Sequence, residues 1–181
     1  MRFRETALAG AWLIELERHA DERGFFARSF CEQEFGAHGL PVRFPQCNVS
    51  RNRLEGTLRG MHYNAAPHRE AKLVRCTAGA IRDVIVDLRR GSPTRFQSLA
   101  VELTAEGGDA LFVPEGFAHG FLTLAGESEV FYMMSRAYVP GAARGLRWND
   151  PRLAIRWGRE PRVLSGKDAA WPDFDEASFD G

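Results

Sequence analysis

The sequence predicts an all-β, antiparallel fold. Two observations carry this: period-2 alternation of apolar residues through the middle of the chain, and turn residues recurring between the alternating runs. Thr6 to Ile14 reads as an opening strand. Ser29-Phe30-Cys31-Glu32 has the form of a capping box, with Gly39 as the stop of a short N-terminal helix. Further on, Val84, Val86 and Leu88 share one face and Asp83, Ile85 and Asp87 the other, while Leu99, Val101 and Leu103 alternate with Ser98, Ala100 and Glu102. Turns are marked at Gly79, Gly91-Ser92-Pro93, Glu106-Gly107-Gly108-Asp109, Pro114-Glu115-Gly116 and Gly126. Such spacing favours an antiparallel sandwich or barrel over βαβ units. Ser165-Gly166-Lys167-Asp168 predicts a short C-terminal helical segment, and the acidic stretch from Trp171 to Gly181 is expected to pack loosely.

Size and charge narrow the classes of function. The 181 residues suit one domain, 1–181, with a sizeable core. Lys plus Arg number 24, as do Asp plus Glu, so no net field points to nucleic acid as a partner. A single nucleotide needs only a local basic pocket. Cys31, Cys47 and Cys76 are odd in number and lack CxxC spacing, which argues against a disulfide framework or structural zinc and for a reducing compartment. No run is long and apolar enough to span a membrane. Thr6–Ile14 follows Arg2 and Arg4 like a signal peptide, but Glu5 interrupts the basic region and Glu15-Leu16-Glu17-Arg18 follows without a cleavage site. The expected location is cytoplasmic.

The chemistry concentrates in Arg59-Gly60-Met61-His62-Tyr63-Asn64, in Ala71-Lys72-Leu73-Val74, and in Pro114-Glu115-Gly116-Phe117-Ala118-His119-Gly120-Phe121. A neutral imidazole takes a proton from carbon near neutral pH, and Lys or Arg can hold the resulting oxyanion. Gly108, Pro114, Gly116 and His119 follow the spacing of the second cupin motif apart from its last position, which predicts a cupin-like antiparallel jelly roll. Many cupins bind metal through a His-x-His pair in the first motif. Here that motif reads His62-Tyr63-Asn64 and Glu70 sits at the wrong spacing, so no metal is expected.

An ordered set of segments then resembles the dTDP-4-dehydrorhamnose 3,5-epimerase family. It comprises Asp21-Glu22-Arg23-Gly24-Phe25-Phe26, Gln46-Cys47-Asn48-Val49-Ser50, Leu58 to Tyr63, Lys72 to Arg75, Asp83 to Arg89, Ser92-Pro93-Thr94, Pro114 to Phe121, Tyr132, Trp148-Asn149-Asp150-Pro151 and Leu164 to Asp168. The resemblance implies epimerisation, without a cofactor, of a nucleotide-linked 4-keto-6-deoxyhexose whose ketone acidifies the C–H bonds at carbons 3 and 5. By the same resemblance, His62 is the base, Asp168 its carboxylate partner, Lys72 the enolate stabiliser and Tyr132 the opposite-face acid. Arg59 and His119 match contacts to pyrophosphate or sugar, and Gln46 and Asn48 match contacts to the nucleotide. Arg23 and Phe26 match residues that reach into a neighbouring subunit's site, which implies a homodimer.

The chain departs from the family at three places. Arg28 stands where the family usually has a glutamate that reads the base, Glu70 where it usually has glutamine, and Met133 where a lysine commonly follows the acid tyrosine. A guanidinium donates hydrogen bonds and accepts none, so Arg28 is expected to weaken the preference for thymidine. The other reading of Arg28 is a solvent-facing residue at the start of the helix at Ser29. Other functions compatible with the chain are a single-centre epimerase, a metal-dependent cupin oxygenase or isomerase, and a sugar-nucleotide-binding protein without activity.

Overall fold

The structure, a computed structural model, describes residues 1–176. Its elements are β1 (Arg2–Glu5), β2 (Trp12–Glu15), β3 (His19–Asp21), β4 (Gly24–Phe26), α1 (Glu32–Ala37), β5 (Gln46–Asn52), β6 (Thr57–Asn64), β7 (Lys72–Ala78), β8 (Ala80–Asp87), β9 (Ser98–Thr104), β10 (Ala110–Val113), β11 (Phe117–Thr123), β12 (Ser128–Met134), β13 (Ala143–Gly145), β14 (Val163–Leu164) and α2 (Gly166–Ala169). One sheet runs β1-β2-β10-β7-β12-β5. The other runs β13-β6-β11-β8-β9, with β14 added parallel to β6. β3 and β4 form a separate hairpin. The all-β, cupin-like expectation holds.

The turns fall where glycine and proline marked them: Gly79 lies between β7 and β8, Gly91-Ser92-Pro93 between β8 and β9, and Gly126 between β11 and β12. Three other expectations change. Thr6–Ile14 is not one strand but the bend and second arm of a hairpin, in which Arg2–Glu5 pairs with Trp12–Glu15. Its alanines favour strand weakly, and Gly10, at φ +82, lets the chain reverse. The capping box at Ser29 is not formed. Helix α1 begins after Cys31, which makes no side-chain cap, and the Ser29 carbonyl instead accepts a hydrogen bond from Arg75. Gly39 does end the helix in a left-handed conformation, with Leu40 N–H bonded back to Phe35. The start of the C-terminal stretch is packed, not loose: Phe174 is buried, and its N–H is held by the Asp150 carboxylate. Residues 177–181 of that stretch lie outside the described residues.

Three apolar clusters explain the layering. Leu13, Val74, Ile81, Ile85, Leu111, Phe121 and Val130 fill the space between the sheets. Leu58, Met61, Val84, Val86 and Leu122 form the outer face of the β6-β11-β8 sheet, covered by Leu146, Leu153, Trp157 and Phe174. Phe35 of α1, with Phe30 and Phe44 beside it, covers Ile14, Leu73 and Phe112 on the other sheet's outer face. Strand β8 is therefore buried on both faces, and its acids need partners.

Asp87 finds them in the turn that follows. It accepts hydrogen bonds from the Arg89 guanidinium at 2.9 and 2.7 Å and from the hydroxyls of Ser92 and Thr94 at 2.5 and 2.7 Å. Burial alone would raise this carboxyl; those donors outweigh it and hold it at about 2, below its usual 3.8. A depressed carboxyl stabilises the fold above its unfolded value and loses that contribution as pH falls through the folded one. We expect Asp87→Asn to cost about 2 kcal/mol near neutral pH and about half that near pH 3. Urea unfolding of both proteins at the two pH values checks this; a cost independent of pH would contradict it.

Candidate active site

Directly paired residues on adjacent strands point to the same side of a sheet. Tyr132 on β12 pairs with Asn48 on β5 and Val74 on β7, and Val74 belongs to the core between the sheets. Lys72, two residues before Val74, shares that inner face, as does Gln46, two before Asn48. On the facing sheet, His62 of β6 is directly opposite His119 of β11, which in turn pairs with Ile85 of β8. The fold thus directs both histidines, the lysine and the tyrosine into one inter-sheet space.

A close backbone contact sets the spacing of the two histidine strands. Gly60 has φ +132, and a Cβ placed on it would lie 2.6 Å from the Gly120 Cα. Only glycine fits there.

His62 Nε2 lies 2.6 Å from Asp168 Oδ1. The carboxylate accepts, so Nε2 carries the hydrogen and Nδ1 keeps its lone pair. Asp168 is only 5% exposed. The Ser165 hydroxyl caps α2 by accepting from the Asp168 N–H at 3.0 Å, as the sequence predicts. Trp171 donates its indole N–H to the same Asp168 oxygen at 3.3 Å and packs over Gly145. Burial pushes the Asp168 carboxyl up, but hydrogen bonds with His62, Ser165 and Trp171 leave it below its usual value.

A second imidazole–carboxylate pair stands nearby: His119 Nε2 lies 2.7 Å from Asp83 Oδ1, both buried. Asn52, also buried, accepts from Arg59 Nε at 2.7 Å, which leaves the terminal nitrogens of that guanidinium directed elsewhere. Lys72 Nζ lies 3.3 Å from Glu70 Oε1. Burial pushes the Tyr132 hydroxyl above its usual value, and Glu70 adds to the effect; Arg59 and Asn48 oppose it. Gln46 donates to Asn48 at 3.2 Å and accepts from the Tyr138 N–H at 2.8 Å.

Sequence reasoning missed Asp83, Asn52 and Trp171 as partners. Asp83 left a signal, being an acid in a strand that is mostly apolar on both faces. Asn52 and Trp171 left none, because their roles depend on register and on the path of the C-terminal segment. The structure does not bring Arg23, Phe26 or Arg28 to this set. Arg23 is paired with Asp21 at 2.5 Å on the β3–β4 hairpin, and Phe26 is 75% exposed. Arg28 is paired with Glu34 of α1 at 2.8 Å. Among the described residues, no group of three or more His, Cys, Asp and Glu is placed to hold a metal ion. Nor is any helix among them long and apolar enough to cross a membrane.

Comparison with known proteins gives the same family that the motifs resemble. The family model for dTDP-4-dehydrorhamnose 3,5-epimerase matches residues 5–176. A dTDP-4-dehydrorhamnose 3,5-epimerase of Sinorhizobium fredii is 40% identical over 177 residues, which cover 97% of this chain and 91% of that one. The crystal structure of the Bacillus anthracis enzyme of that name, with TDP and PPi bound, superposes with a TM-score of 0.92 at 39% identity over 96% of this chain and 99% of that one. A 3'-monoepimerase from Streptomyces bikiniensis, in complex with dTDP-quinovose, gives 0.86 at 33% identity over 94% and 86%. The match runs through every strand that carries the two paired histidines, and the chain belongs to the dTDP-4-dehydrorhamnose 3,5-epimerase family.

Proposed function

We propose that this protein is an isomerase that epimerises a nucleotide-linked 4-keto-6-deoxyhexose at carbon 3, carbon 5 or both, through an enolate and without a cofactor. The observation that carries the reading is the His62–Asp168 pair at 2.6 Å, opening into the same space as Lys72 and Tyr132. In this mechanism His62 Nδ1 takes the proton alpha to the ketone. The electron pair moves to the carbon-4 oxygen, where the Lys72 ammonium stabilises it. Asp168 holds the tautomer and balances the imidazolium as it forms. Tyr132 returns a proton on the opposite face, and burial, by raising its pKa, keeps the hydroxyl protonated until then.

For the rest of the ligand, Arg59 and His119 are assigned to the pyrophosphate and sugar, and Gln46 and Asn48 to the nucleotide. Arg59 suits a phosphate because Asn52 engages only its Nε. Arg23, Phe26 and Arg28 lie on an exposed arm, which supports a homodimer in which that arm reaches the other subunit's nucleotide. Three unpaired cysteines suit a reducing, cytoplasmic setting. The similarity to a 3'-monoepimerase supports a second reading, inversion at one centre only.

With a 4-keto-6-deoxyglucose nucleotide in D₂O, deuterium should enter carbon 3, carbon 5 or both, which also distinguishes the two readings. His62→Ala should lower exchange about 10²- to 10⁴-fold at every centre. Tyr132→Phe should reduce inversion more than exchange, since the base can return its own proton. Exchange that persists in the His62 variant would remove it as the base.

The dimer reading is tested by complementation. His62→Ala and Arg23→Ala, each weak alone, should recover activity when unfolded and refolded together, because one site of the mixed dimer then has both native residues. No recovery, with mixed dimers demonstrated, would mean that Arg23 serves its own subunit or none.

A further inference from the structure

Glu70 is a buried carboxylate with one oxygen engaged and one not. Its side chain is 5% exposed, and Oε1 lies 3.3 Å from Lys72 Nζ. Oε2 is fully buried and has no hydrogen-bond partner. Leaving a buried carboxylate oxygen unpaired is costly, so the position calls for a donor from outside the chain. Glu70 lines the same narrow cleft as Lys72, Asn64 and His119, too tight for a free water, so a substrate held by Lys72 reaches Oε2 only as these side chains part around it.

The chemistry of the substrate class narrows which donor. If Lys72 holds the carbon-4 oxygen, Glu70, bonded to Lys72 through Oε1, faces the substituents flanking carbon 4. Carbon 5 carries the ring oxygen and a methyl group, and neither donates. Carbon 3 carries a hydroxyl. We infer that Glu70 is a specificity-determining residue whose Oε2 accepts a hydrogen bond from the 3-hydroxyl of the sugar, so that this protein selects 4-keto sugars bearing that hydroxyl. The inference rests on the epimerase reading above. An ionised carboxylate only accepts, which makes the preference stricter than an amide at the same position would impose. With one oxygen on Lys72 and the other on the substrate, Glu70 also ties the cation that holds the ketone oxygen to the hydroxyl next to it.

The test compares two substrates on each of three proteins, reading deuterium entry at whichever of carbons 3 and 5 the wild type exchanges, since both substrates carry C–H bonds alpha to the ketone at both positions. The substrates are a 4-keto-6-deoxyglucose nucleotide and its 3-deoxy analogue; the proteins are wild type, Glu70→Gln and Glu70→Leu. Wild type should favour the hydroxylated substrate by roughly tenfold to a hundredfold in kcat/KM, the range for a hydrogen bond to a charged group. Glu70→Leu should lose most of that preference, and Glu70→Gln, which keeps an acceptor oxygen, should retain part of it. Because each preference is a ratio within one protein, a reduced folded fraction cancels. A preference in Glu70→Leu equal to that of wild type would overturn the inference and mean that Oε2 does not meet the substrate. Absence of exchange in wild type with either substrate would instead overturn the epimerase reading.

Discussion

A carboxylate placed between two packed sheets must be met by hydrogen-bond donors or give up its charge. Asp87, Asp83, Asp168 and Glu70 are buried carboxylates that face that constraint, and much of the local structure follows from how each is met. Asp87 draws Arg89, Ser92 and Thr94 around it and so fixes the turn between β8 and β9. Asp83 holds His119, and Asp168 holds His62. Glu70 is met on one side only, by Lys72. Asp87 and Asp168 are met by several donors and order the framework, whereas Asp83 and Glu70 each keep one buried oxygen without a partner, and Glu70 lies beside Lys72 at the edge of the inter-sheet space.

The layering makes such charges tolerable. Helix α1 and its aromatic neighbours cover one outer face, and the segment from Leu146 to Phe174 covers the other. With both outer faces packed, the inter-sheet space divides into an apolar part around Ile81, Ile85 and Leu111 and a polar part around the two histidines. Gly60 and Gly120 bring the histidine strands together at backbone distance. Position in this site is therefore set by rigid sheet register more than by loops.

The sequence was most legible where a residue's role depends on its immediate neighbours. Gly39 at a helix end, Ser165 at a helix start and the glycine-marked turns all reduce to local backbone geometry. The capping box at Ser29 failed because the helix start is set by packing of Phe35 and Phe30, and the Ser29 carbonyl serves Arg75 instead. The Thr6–Ile14 stretch was misread because hydrophobicity alone does not reveal a reversal at Gly10. In the site, His62, His119 and Lys72 stood out by motif. Their partners did not: Asp83 lies 36 residues from His119, and only the β8–β11 register unites them.

The imidazole of His62 and the carboxylate of Asp168 are separated by 106 residues, more than half of the chain. Helix α2 and Trp171, which hold that carboxylate, come after every strand of the two main sheets, and β14 docks on β6 just before them. During synthesis on a ribosome, the strands bearing His62, Lys72 and Tyr132 thus emerge long before the segment that orients the imidazole. The order of emergence separates assembly of the scaffold from assembly of the dyad, and a proteolytic cut shortly before Ser165 would leave a folded barrel whose histidine has lost its partner.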